Sequence, residues 1–176
     1  MMLLHAHHKN LASYVSQAWR LYQDTSVVTK CFWSYILPIL EYCSPVWNSA
    51  ADTHMRLLDR IVRSVTALSS GKVLCDLEHR RSVAELCVFH KLFFNADHPV
   101  NRHMPGPMLR RRVTRRTEAA HDFSVQPITC RTEQFSRCFI PRVAMLWNSL
   151  EGDVFEGSTL SSFKSRTNRL LLQRQT

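Results

Sequence analysis

Arg56, Arg60 and Arg63 recur at spacings of four and three, so a helix gathers their guanidinium groups within an arc of about 60°. A guanidinium presents paired N–H donors in a fixed fork that matches phosphate oxygens, so such a stripe can track a nucleic-acid backbone. A second cationic feature is the run Arg110, Arg111, Arg112, Arg115 and Arg116. It closes a stretch from Arg102 to Arg116 that holds six arginines and no acid. An arginine segment of this kind can mould itself onto RNA or DNA, or act as a nuclear-import signal. The competing readings are a solvated helix face for the stripe and a plain charged loop for the run.

Catalytic chemistry finds no comparable pattern. A serine nucleophile on a strained turn needs Gly-x-Ser-x-Gly, which does not occur. Gly71, Gly106, Gly152 and Gly157 stand apart, so no glycine-rich loop cradles a phosphate. Metal-assisted phosphoryl transfer needs clustered carboxylates. The acids here are scattered, and Glu151, Asp153 and Glu156 fall in an expected turn. Cys87-x-x-His90, followed by His98 and His103, comes nearest to zinc spacing but lacks a second thiolate pair. No catalytic residue, metal ligand, cofactor or small-molecule substrate is assigned, and the chain reads as a non-enzyme.

The balance of charge directs attention to partners. With 23 basic and 14 acidic residues, the formal net charge is +9, which favours polyanions such as RNA or DNA bound non-specifically. At 176 residues with 45% hydrophobic content, the chain can build a core and is not compositionally disordered. No run of about 18 apolar residues argues for a membrane span, and the start is a poor secretory leader. The six cysteines include no Cys-x-x-Cys, and several fall on apolar helical faces. They read as reduced thiols of an intracellular protein, nuclear or cytoplasmic.

The elements that must position these residues are mainly α-helical, an irregular helical bundle with a long basic loop. Leu11, Tyr14, Val15, Ala18 and Tyr22 have helical spacing, with Asn10 as a cap. A second apolar stretch covers 27–40, where Pro38 should kink or restart the helix and Ser44-Pro45 should end it. The next helix, capped by Asp52 or Thr53, runs to about Leu68 and buries Leu58, Ile61, Val62 and Val65 opposite the arginines. Ser69-Ser-Gly71 closes it. A helix over 76–95 precedes a turn-rich, basic connection over 96–130, the expected hinge. A short β-hairpin is allowed near 123–140. Pro141 suits the first helical position, with Val143, Leu146 and Trp147 behind it. Ser158 or Thr159 caps a last helix that buries Leu160, Phe163, Thr167 and Leu170, with Lys164, Arg166 and Arg169 on its other side. Trp33, Tyr35, Trp47 and Trp147 lie in apolar contexts and are expected in the core.

Four blocks in this order carry a resemblance. They are Tyr35 to Trp47 (YILPILEYCSPVW), Leu57 to Arg63 (LLDRIVR), Cys130-Arg-Thr-Glu133 leading into Phe139 to Leu150 (FIPRVAMLWNSL), and Leu160 to Arg169 with its Ser-Phe-Lys-Ser-Arg core. Together they resemble the region downstream of the polymerase domain in LINE-type (non-LTR) retrotransposon reverse transcriptases, Jockey-like or related. Members of that family are RNA-directed DNA polymerases. Their catalytic Tyr-x-Asp-Asp turn has no counterpart here, since no Asp-Asp pair occurs.

The resemblance implies a helical thumb and C-terminal extension that hold RNA and DNA, with Arg56, Arg60 and Arg63 on the thumb helix. With the turn-rich, basic composition of 96–130, the chain reads as a thumb-like region over 1–95, a Pro/Arg-rich connection over 96–130 and a C-terminal helical tail over 131–176. The resemblance also implies the missing polymerase domain as a partner. In its absence Trp33, Trp47 or the Phe93-Phe94 pair is expected to expose apolar surface. One departure is Glu151 after Trp147-Asn-Ser-Leu150, where the family often has proline. The alternatives are a functionless translated relic of a decayed element and a protein-interaction module repurposed by its host.

Overall fold

The computed structural model describes Ser13, Gln17, Arg20 and residues 24–68, 76–95, 97–108, 121–156 and 159–174. The chain divides into two compact units, Met1–Arg80 and Arg81–Thr176. It is mainly helical, as its periodicity implies, and no strand longer than an isolated bridge forms among the described residues. The division falls at Arg80.

In the first unit, Asp24 caps helix α1 (Thr25–Cys31), its carboxylate accepting the Ser26 N–H at 2.8 Å. A π-helical turn follows over Phe32–Ile36 and passes into α2 (Leu37–Glu41). Pro38 explains the widened turn. It brings no N–H to the carbonyl four residues back, and the Leu37 N–H reaches to Phe32 instead.

The stop comes earlier than Ser44-Pro45. Tyr42 turns extended and Cys43 takes a left-handed conformation at φ 52°, so Ser44-Pro45 opens the short helix α3 (Ser44–Trp47) rather than ending its predecessor. The Trp47 indole N–H donates to the Tyr42 carbonyl at 2.7 Å and holds this corner. Helix α4 (Asp52–Leu68) then lays Leu58, Ile61, Val62 and Val65 against Val28, Phe32, Ile36, Leu37 and Leu40. Both sides of this packing follow helical spacing.

Helix α5 (Leu77–Phe94) starts at Asp76, whose carboxylate accepts the Glu78 N–H at 2.9 Å. In the second unit a 3₁₀ turn over Pro99–His103 leads to an antiparallel bridge between Pro107 and Val125. No hairpin forms near 123–140. Thr132 caps a helical turn, α6 (Glu133–Ser136), where a return strand would have to run. The stretch expected to be a loose connection contributes fully buried Val125 to the core.

Helix α7 (Phe139–Asn148) begins two residues before Pro141, which still sits in the first turn where its missing N–H costs nothing. A 3₁₀ turn over Gly152–Phe155 precedes α8 (Leu160–Gln173), capped by Thr159. Trp147, Phe89 and Phe163 are fully buried at the centre, with Leu86, Val143, Val154 and Leu170 around them. Thr167 is buried as its spacing predicts, while Leu160 and Leu146 are half-buried.

Candidate nucleic-acid interface

Helix α4 exists because one of its faces is apolar and the other is not. Seventeen residues make nearly five turns, a length that tertiary packing of Leu58, Ile61, Val62 and Val65 stabilises. Asp52 in the first turn complements the positive helix N-terminus. Arg56, Arg60 and Arg63 are all exposed on the face away from the core. Along the axis they are separated by about 6 Å and about 4.5 Å, from the helical rise per residue. Among the described residues none of the three guanidinium groups is engaged by a carboxylate. Three solvated, unpaired guanidinium groups on one side of a rigid helix are an arrangement that phosphate oxygens can bridge.

Arg110, Arg111, Arg112, Arg115 and Arg116 lie outside the described residues. Of the basic side chains expected on the last helix, Lys164 and Arg169 are exposed. Arg166 is taken up internally, donating to the Asp153 carbonyl and pairing with Glu156 at 3.4 Å.

The zinc-like spacing at Cys87 gives no metal site. Among the described residues, no three His, Cys, Asp or Glu side chains gather to hold an ion. Cys87 and His90 belong to the packing of α5 instead. The His90 ring packs, tilted, against Phe163 and Phe94 at centroid distances of 4.4 and 4.6 Å. Burial pushes the Cys87 thiol up, with Lys164 and Lys91 pulling the other way. Burial likewise draws the His90 imidazole down. Both groups are thereby held in their neutral forms.

The aromatic residues depart most from their expected places. Trp147 is fully buried and Trp47 packs against the first core, but Trp33 is 41% and Tyr35 71% exposed. Arg80 pairs with Glu41 and also places its guanidinium 5.8 Å from the Trp33 ring centroid. Tyr42, at 77% exposure, is a surface residue that helical spacing alone did not single out. Periodicity carries no signal for it: residues 32–46 are mostly apolar all round, so no period can tell which side is inward.

Phe94 is 52% exposed, so part of the expected apolar surface in the second unit is present. Among the described residues no helix is long and apolar enough to cross a membrane. Compared with protein-family models, curated proteins and solved structures, the chain matches none.

Proposed function

We propose that the chain is a non-catalytic C-terminal portion of a LINE-type reverse transcriptase and binds the backbone of RNA or DNA through arginines. The observation that carries the binding role is the exposed stripe of Arg56, Arg60 and Arg63 on α4. Its backing is a core-packed helix face, so the three charges are presented without ordering a loop on binding. The family reading rests on the four sequence blocks alone. Arginine–phosphate pairs of this type release counterions and carry no sequence information.

The test is the salt dependence of binding to a short duplex and to a single strand, for the native chain and for R56Q/R60Q/R63Q. Removing one phosphate-neutralising charge reduces the slope of log K against log[salt] by about 0.9 on B-form DNA and about 0.7 on single strands. The triple variant is expected to lose about 2.7 units of slope on the duplex and about 2.1 on the single strand. An unchanged slope with unchanged affinity removes α4 from the interface.

A further inference from the structure

We propose that the first unit self-associates into a homodimer through the exposed apolar face formed by Tyr35, Ile39, Tyr42 and Val46. Their relative exposures are 71%, 48%, 77% and 77%. Tyr35, Ile39 and Tyr42 follow one another at helical spacings of four and three, and Val46 follows just past the Cys43 corner. The opposite side of the same segment supplies Phe32, Ile36, Leu37 and Leu40 to the core. Helical structure that is apolar nearly all round is the pattern of a buried element, and among the described residues one side has no cover.

Two features point to a second copy as the cover. The first is area. From the size of such side chains, the four leave on the order of 500 Å² open, the greater part of the ~800 Å² per partner of a standard interface.

The second is charge. The chain carries a formal net charge of +9, so two copies repel wherever basic residues face each other. Between Lys30 and Asp52 the sequence holds one acidic or basic side chain, Glu41, and it is neutralised by Arg80. The segment that bears this face therefore brings no net charge to its own image, whereas the arginine face of α4 does. A two-fold pairing of this kind leaves Arg56, Arg60 and Arg63 outward in both copies, and an area below the standard size is that of a transient contact.

Sedimentation equilibrium of the full chain, nuclease-treated and in about 1 M salt to remove bridging polyanions, tests this directly. The native chain is expected to move from its 20.5 kDa monomer mass towards twice that value as concentration rises through the micromolar range. Y35K/Y42K, and separately V46K, should remain monomeric at every concentration. These positions are exposed, so an unchanged circular dichroism spectrum is expected for both. A native chain that is still monomeric at about 100 μM overturns the proposal and leaves the face to a different partner. A dimer that survives both substitutions overturns it as well, because its interface then lies elsewhere. Neither result touches the salt-slope experiment, which reads a different helix.

Discussion

The carboxamide of Asn148 takes both backbone groups of Val125. Its Oδ1 accepts the Val125 N–H at 2.9 Å, and its Nδ2 donates to the Val125 carbonyl at 2.8 Å. A side chain thus supplies the pair of bonds that a neighbouring strand would otherwise make. Trp147, the preceding residue, extends the clamp. Its indole N–H donates to the Phe123 carbonyl at 2.8 Å, and its own carbonyl lies 3.0 Å from His121 Nε2. The end of α7 therefore holds 121–125 in place and closes the second core over Val125.

This pairing makes Asn148 irreplaceable by its closest relatives. Aspartate keeps the acceptor but loses the donor, and leucine loses both while Val125 stays buried. Each buried backbone group left without a partner costs about 1–3 kcal/mol. We expect N148L to lower stability by roughly 2–4 kcal/mol, with N148D intermediate. Urea unfolding followed by tryptophan fluorescence measures both, and changes under about 0.5 kcal/mol would show that water replaces the carboxamide at no cost.

A second prediction concerns Glu85 of α5 and Arg142 of α7. Glu85 is 1% exposed, and the Arg142 guanidinium grips its carboxylate through two nitrogens, with Nε at 3.1 Å. Arg142 also donates from Nη1 to the Arg137 carbonyl at 2.6 Å. Removing one member of a buried pair strands the other in low dielectric, at about 3–5 kcal/mol. Arg142→Met should therefore cost more than the double replacement E85M/R142M. A double-mutant cycle from denaturant midpoints should return a coupling of at least about 2 kcal/mol, and additive costs would mean the pair is solvated.

These interactions show where sequence reasoning reaches and where it stops. Helix α4 was legible because its apolar and basic residues obey one period, which fixes both the fold of the segment and the outward direction of Arg56, Arg60 and Arg63. The surface at Tyr35 and Tyr42 was not legible. Its neighbours are mostly apolar, and packing against α4 takes Phe32 and Ile36 inward. The hairpin allowed near 123–140 does not form, for a different reason. Val125 has a strand-like residue type, but its backbone partner is a side chain 23 residues away, which no local pattern reveals. Helix α5 runs through the division at Arg80 without a break in helical spacing, so no local pattern marks it.

Thiol chemistry separates the cysteines by environment. Cys43 and Cys138 are exposed, whereas Cys87 is half-buried with its thiol pushed up by burial. Since the thiolate is the reacting species, Cys43 and Cys138 should be modified first by a thiol reagent at about pH 7.5. Cys87 should lag by at least about tenfold in native protein and catch up on unfolding. Mass mapping of a labelling time course gives the order, and equal rates in the native state would mean that α5 opens readily.

His90 makes stability depend on pH. Burial among Phe163, Phe94 and Trp147 draws its native value below the ordinary 6.5, so the unfolded chain binds a proton more readily than the folded one. Where the unfolded state holds more protons, stability rises with pH. The contribution of the neutral imidazole is therefore fully present above about 6.5 and declines as pH falls from there towards the lowered native value. H90L cannot charge, and its packing against the same rings is apolar throughout. Comparing the two unfolding midpoints from about pH 8 to about pH 5 should show the native chain losing stability relative to H90L across that window. Parallel curves would place the imidazole in water, with its proton uptake unaffected by folding.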